Sequence, residues 1–97
     1  MPQFDLHRLR GGELVVDVQT DFIGLDATRL VAPLREAGIY TSFPSITPIV
    51  EFEGRRWVVR LPEIASVPLG ELGDPVGSLR DARDPIKRGI DVLIDGF

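Results

Sequence analysis

The sequence contains no cysteine, one histidine and no long apolar run. Without cysteine, neither a disulfide nor a thiolate metal site can form. No stretch approaches the roughly 18 consecutive apolar residues that are needed to cross a bilayer. The first ten residues also lack an apolar run of signal-peptide length. We therefore expect a soluble, intracellular protein with no membrane partner.

Basic residues are scarce. The 97 residues include 11 Lys and Arg against 15 Asp and Glu, for a net charge of −4. A surface that follows a phosphate backbone needs an excess of cations, so direct nucleic-acid binding is not expected. The length predicts a single domain over residues 1–97 with one modest core.

Residues that could carry catalysis are also few. His7 has no cysteine and no glycine-flanked serine to activate. Gly11-Gly12 joins two predicted strands rather than a strand and a helix, so it is not a phosphate loop. Asp17, Asp21 and Asp26 lack the spacing and the central glycine of a calcium loop. The sequence favours a binding protein over an enzyme, without cofactor or metal.

Apolar and polar residues alternate in several short segments, which is typical of β-strands. Residues 3–7 and 14–19 flank Gly11-Gly12 and predict one hairpin, and residues 46–52 and 56–61 flank Glu53-Gly54 and predict another. Trp57 is in register with two apolar neighbours and is interpreted as a core residue. Pro33 has no N–H to donate to a β-ladder, so we expect the strand at residues 29–34 either to lie at a sheet edge or to end at Pro33.

Residues 84–97 predict the one long helix. Asp84 is expected to cap its start, with Pro85 at the first helical position. An apolar stripe is expected to be buried, and it consists of Ile86, Ile90, Leu93, Ile94 and Phe97. With about five short antiparallel strands, this gives a mainly β (α+β) fold: a small barrel or bent sheet closed by one C-terminal helix.

The charges of this helix oppose its dipole. Lys87 and Arg88 lie near the positive start, whereas Asp91 and Asp95 lie near the negative end. Two interpretations stand: a functional surface at the chain end, or surface charges that cost only a few tenths of a kcal/mol each. The adjacent apolar residues Phe22 and Ile23 also allow two interpretations. They either face a partner protein or fold back onto the core.

The order of several motifs resembles the CcdB family of bacterial toxins. These are VDVQTD at 16–21, RLVAPL at 29–34, TPIV at 47–50, Trp57, IASVP at 64–68 and DPIKRGIDVLIDGF at 84–97. The resemblance implies a cytoplasmic homodimer of SH3-like, CcdB/MazF-like barrels. It also implies a non-enzymatic toxin that binds the A subunits of DNA gyrase and traps the cleaved-DNA complex, and that a CcdA-like antitoxin neutralises.

The resemblance also implies roles for individual residues. Gyrase contacts would fall on Phe22, Ile23, Asp91, Asp95, Gly96 and Phe97, and the dimer interface would include Leu93 and Ile94. The sequence departs from the family's familiar terminal Trp-Gly-Ile, because Asp95 stands at the tryptophan and Phe97 at the isoleucine. Phe22 likewise stands at an aliphatic position. An aspartate can pair with an arginine of the partner but cannot stack on it.

Two alternatives follow from this departure and from the fold. One is a homologue of the same fold that acts on topoisomerase IV or poisons nothing. The other is a ribonuclease of the MazF type, against which the acidic charge and the lack of a basic cluster in the sequence argue.

Overall fold

A computed structural model describes residues 2–20, 27–38 and 46–96. Within them lie seven strands, three 3₁₀ turns and one helix. The strands and the helix are β1 (Asp5–Arg8), β2 (Leu14–Asp17), β3 (Thr28–Glu36), β4 (Ile49–Phe52), β5 (Arg55–Val59), β6 (Ala65–Pro68), β7 (Gly77–Ser78) and α1 (Arg83–Asp95). The 3₁₀ turns are Leu61–Glu63, Leu69–Glu71 and Arg80–Ala82.

The strands form an antiparallel sheet in the order β4-β5-β3-β2-β1-β7, and β6 pairs with the first half of β3. Because β3 is long and pairs with three strands, it carries the bend that curls the sheet into a nearly closed barrel. The mainly β prediction, with a small barrel and one C-terminal helix, is confirmed.

Both predicted hairpins are present. β1 pairs with β2 with Leu6 opposite Val16, and β4 pairs with β5 with Phe52 opposite Arg55. The second hairpin turns at Glu53 (φ 53°) and Gly54 (φ 73°). Positive φ at both central residues matches the right-handed twist of the flanking strands, as in a type I′ turn.

The prediction for Pro33 is wrong, because β3 is central rather than at an edge. Pro33 lies opposite Val15 of β2, and its carbonyl accepts a hydrogen bond from the Arg60 amide at 2.8 Å. The N and C=O of one extended residue point to the same side of a strand, so the proline nitrogen also faces away from β2. On the side away from β2, β3 pairs first with β6 and then with β5. The N–H that Pro33 lacks would fall in the gap between these two ladders.

The core fills the barrel. Its fully buried side chains include Leu6, Val16, Val59, Leu61 and Ile86. Trp57 is half-buried and packs against this cluster, and its Nε1 donates to the Phe52 carbonyl at 3.1 Å. Trp57 thus contacts the core, as predicted, but lies at its edge rather than inside it.

The helix differs from its prediction at both ends. It begins at Arg83, directly after the 3₁₀ turn Arg80–Ala82, and no side chain caps it. Asp84 is therefore inside the first turn, so the predicted cap is wrong. Only the first part of the apolar stripe is buried: Ile86 is enclosed and Ile90 is half-buried, whereas Leu93 and Ile94 are exposed.

Candidate functional site

The exposed end of α1 contains most of the predicted site residues. Asp91 and Asp95 are exposed, and neither makes an ion pair within the described parts of the chain. Gly96 has φ 81°, and its N–H donates to the Val92 carbonyl at 2.9 Å. This left-handed cap ends the helix, because glycine adopts such a φ without steric cost.

Two aliphatic side chains lie between these acids. Leu93 is 40% exposed and Ile94 is 77% exposed. A surface with adjacent large aliphatic residues is typical of a contact with another protein rather than of a face that stays in water. One turn of helix thus combines two aliphatic and two acidic side chains, and we call residues 91–96 the helix tip.

The start of the same helix is held firmly. Ile86 has no exposed surface, and α1 contacts the 3₁₀ turns Leu61–Glu63 and Arg80–Ala82. In the second half of its apolar stripe, Leu93 and Ile94 are left uncovered. The start of the helix is therefore fixed to the barrel, and the side chains of its tip are exposed.

The other predicted contacts lie outside the described residues. These are Phe22, Ile23 and Phe97, so their position relative to the helix tip remains a prediction. The strands that lead into and out of residues 21–26 are described, and they are fixed by a buried polar network.

That network centres on an ion pair that the sequence patterns do not predict. The Arg29 guanidinium donates from Nε to Asp17 Oδ2 at 2.8 Å and from Nη2 to Asp17 Oδ1 at 3.0 Å. Arg29 Nη2 also donates to the Gln19 carbonyl at 3.0 Å, and the Gln19 side chain accepts from the Leu30 amide at 3.0 Å. Two parallel bonds of this kind fix geometry as well as charge. The end of β2 and the start of β3 are therefore clamped together.

The only signal for this pair in the sequence is the presence of Asp17 and Arg29 in two neighbouring strands. Their Cα atoms are not directly opposite, since Asp17 pairs with Val31, so the contact is diagonal across the sheet. From its place in an alternating strand, Asp17 is expected to be solvated or hydrogen-bonded on a sheet face. It is hydrogen-bonded and has no exposed surface.

The residues considered for chemistry are placed as follows. His7 is fully buried, and its Nδ1 lies 2.9 Å from the Gly73 carbonyl. Asp17 is engaged by Arg29, and Asp21 and Asp26 lie outside the described residues. Across residues 2–20, 27–38 and 46–96, no three potential metal ligands cluster. None of the helices described there is long and apolar enough to span a membrane.

Comparison with known families decides the assignment. The model of the family described as CcdB protein matches residues 3–96. The chain belongs to the CcdB family. Membership of this family makes it a toxin of a toxin–antitoxin module.

A solved structure of similar fold is the Mycobacterium tuberculosis toxin MazF-mt6. It superposes on this CcdB-family chain with a TM-score of 0.76 and 15% sequence identity, and the match covers 97% of each chain. At this identity the likeness establishes a shared fold.

Proposed function

We propose that this CcdB-family toxin is a homodimeric, non-enzymatic poison of DNA gyrase. In this proposal the toxin binds the A subunits of gyrase and traps the cleaved-DNA complex in the bacterial cytoplasm. A CcdA-like antitoxin neutralises it. Phe22, Ile23, Asp91, Asp95, Gly96 and Phe97 carry the gyrase contact.

The observation that carries the proposal is the contrast along α1. Ile86 near its start has no exposed surface, whereas Asp91 and Asp95, which belong to the proposed gyrase contact, are exposed. A helix that is anchored at one end presents the other end in a fixed direction at little further entropic cost. The acids at that end oppose the helix dipole, and a local rule is often broken where function requires it.

The same stripe supports the homodimer. Leu93 and Ile94 are large, aliphatic and uncovered in a single copy. Two copies that pack these residues together would continue the apolar stripe across a two-fold axis, where each patch meets itself. The dimer would also bring two acidic tips side by side, which would suit a two-fold symmetric target.

Asp95 affects how strongly the toxin is expected to bind its target and which topoisomerase that target is. An aspartate can form a charge-assisted hydrogen bond with an arginine, but it contributes little apolar area compared with a tryptophan. We therefore expect gyrase binding through ion pairs that weaken as salt concentration rises. The competing outcome is that a toxin with this changed surface acts on topoisomerase IV or on no topoisomerase.

The ribonuclease alternative is supported by fold likeness to MazF-mt6 and by nothing else in the described residues. A toxin that cleaves RNA would lower transcript integrity without accumulating broken DNA. Measuring both products in the same culture separates this alternative from the poison.

Toxicity on expression tests the proposal. We expect growth arrest with the unaltered chain, and loss of arrest after deletion of residues 96–97 or with the double variant Asp91→Asn, Asp95→Asn. Neutralising acids at a helix C-terminus removes an unfavourable dipole interaction, so these substitutions should not destabilise the fold. Normal growth with ample folded, unaltered protein would contradict the proposal.

The control at the other end of the helix is Asp84→Asn, which removes one charge. Asp84 is an exposed acid at the other end of the same helix, with a side chain that is 80% exposed. This variant should remain toxic, because it changes the net charge without altering the helix tip. Loss of toxicity in the control to the same degree would show that the tip has no special role.

A further inference from the structure

The curled sheet ends in two strands that do not pair with each other. β4 is the last strand on one side and β7 is the last on the other, and no backbone hydrogen bond joins them within the described chain. A cleft of 230 Å³ lies along this seam, and we call it the seam cleft. It is lined by Ile49, Val50 and Glu51 of β4 and by Ser78, Leu79, Asp81 and Ala82.

The edge of β4 at the seam cleft has free main-chain groups. The Val59 amide donates to the Pro48 carbonyl at 2.9 Å, so these two residues form a hydrogen-bonded pair between β4 and β5. Hydrogen-bonded and non-hydrogen-bonded pairs alternate in an antiparallel ladder. Ile49 and Glu51 therefore belong to non-hydrogen-bonded pairs, and their N–H and C=O groups point away from β5. Among the residues that the structure describes, none of these groups has a hydrogen-bond partner.

The seam cleft is negatively charged. Of the described residues that line it, Glu51 and Asp81 are the charged ones, and both are exposed. Arg56 lies directly opposite Glu51 in β5, yet neither carboxylate makes an ion pair with any described residue. Two exposed carboxylates without a counter-charge attract a cationic ligand and repel an anionic one.

We propose that the edge of β4 binds an extended segment of a partner protein in which basic and apolar residues alternate. The segment adds a strand to the sheet through main-chain hydrogen bonds to Ile49 and Glu51. This surface is separate from the helix tip and does not depend on the gyrase proposal.

The alternation follows from the geometry of an added strand, whose successive side chains point to opposite faces. Residues of the segment that lie opposite Ile49 and Glu51 share the outer face of the sheet with them, and a Lys or Arg there meets the carboxylates. The residues between them point inward, towards Val50 and Leu79, which are buried apolar side chains at the cleft.

Other occupants match the seam cleft less well. A nucleic acid or an acidic peptide would meet two unpaired carboxylates on a chain whose net charge is already −4. A second copy that paired edge to edge would bring its own Glu51 and Asp81 against the same two acids, and charges on an edge strand commonly prevent such pairing. A basic and apolar segment satisfies both the free main-chain groups and the charge.

Amide NMR spectra of the isotope-labelled protein test the proposal. The probe is a capped peptide of sequence Lys-Val-Lys-Val-Lys-Val, and its acidic counterpart is Glu-Val-Glu-Val-Glu-Val. We expect the basic peptide to shift the amide signals of Ile49 and Glu51 saturably, because both N–H groups gain an acceptor. The acidic peptide should leave these signals unchanged.

Two N-methylated forms of the basic peptide separate strand pairing from charge attraction, since methylation keeps the charge and removes hydrogen-bond donors. In the proposed register the lysine amides face β4 and the valine amides face away from it. Methylation of the lysine amides should abolish the saturable shift. Methylation of the valine amides is the matched control and should leave the affinity within about threefold.

Two double variants of equal net charge test the cationic contact. Glu51→Gln with Asp81→Asn should weaken binding of the basic peptide about fivefold, because it removes two exposed ion pairs with the peptide. Glu71→Gln with Asp74→Asn removes two carboxylates from the connection between β6 and β7, outside the seam cleft, and should leave the affinity within about twofold. Circular dichroism verifies that both variants are folded.

Several results would overturn the proposal. One is the absence of a saturable shift at Ile49 and Glu51, and another is equal binding of the acidic peptide. Equal loss of binding with both methylated peptides would exclude strand pairing, and equal weakening in both double variants would indicate bulk charge. Signals of Ile49 and Glu51 that move on dilution without peptide would show that a second copy, rather than a basic segment, occupies the edge.

Discussion

At the scale of single residues, the buried pair Asp17–Arg29 fixes the end of β2 against the start of β3. Both side chains are almost completely buried, and the guanidinium makes two bonds to the carboxylate. A buried pair often adds little net stability, but breaking it leaves an uncompensated charge in a medium of low dielectric constant. The pair therefore acts mainly by fixing one geometry.

Arg29→Met should lower the free energy of unfolding by about 3–5 kcal/mol, because it leaves the Asp17 carboxylate buried without its counter-charge. Urea denaturation followed by circular dichroism measures the change. Arg35→Met is the control in the same strand: Arg35 pairs with the partly exposed Glu13 and Glu63, so its loss should cost about 1 kcal/mol or less. Equal costs for the two variants would contradict the special role of the buried pair.

At the scale of elements, the hairpins and the helix follow from local patterns, whereas β7 and the position of β3 do not. Two-residue periodicity and the Glu53-Gly54 turn are local signals, and they predicted the hairpins. Pro33 is also a local signal, but its effect depended on which strands flank β3, and that information is tertiary. β7 has only two residues and pairs with Asp5 and Leu6, far away in sequence.

The short strand β7 lies close to the side chain of Phe52 at the end of β4. A Cβ added to Gly77 would lie 2.6 Å from Cε1 of Phe52, well inside normal contact. Gly77→Ala should therefore cost about 1–3 kcal/mol by overpacking, measured as a lower urea midpoint. Gly73→Ala is the control, since a Cβ there has no neighbour within 4 Å. Similar midpoints for the two variants would mean that the contact at Gly77 is readily relieved.

At the scale of the whole molecule, the sequence was sufficient for the fold class and for the position of the terminal helix, and it overestimated how much of that helix the barrel covers. The stripe from Ile86 to Ile94 is continuous in sequence, so periodicity treats all of it as one buried face. Where coverage ends depends on what the folded chain packs against the helix, and the periodicity of the helix carries no information about that. The uncovered part is the region that the family resemblance assigned to the dimer.

Ile94→Glu should convert a dimer into a monomer. It places a charge in the centre of the proposed apolar contact, where no partner can compensate it. Sedimentation equilibrium over a range of protein concentrations measures the change. Ile49→Glu, at another exposed isoleucine on β4, should leave the dimer intact. A monomeric parent protein, or a dimer that Ile94→Glu leaves unchanged, would contradict the proposed interface.

The most direct test of the account is to titrate the purified toxin into gyrase and supercoiled plasmid and to measure cleaved DNA after protein denaturation. We predict that the amount of cleaved DNA rises with toxin concentration. The double variant Asp91→Asn, Asp95→Asn should yield at least about tenfold less cleaved DNA, because two charge-assisted contacts are lost. Asp84→Asn should yield the same amount as the unaltered toxin. Folded, dimeric toxin that yields no cleaved DNA with gyrase, or yields it only with topoisomerase IV, would contradict the claim that the helix tip targets gyrase.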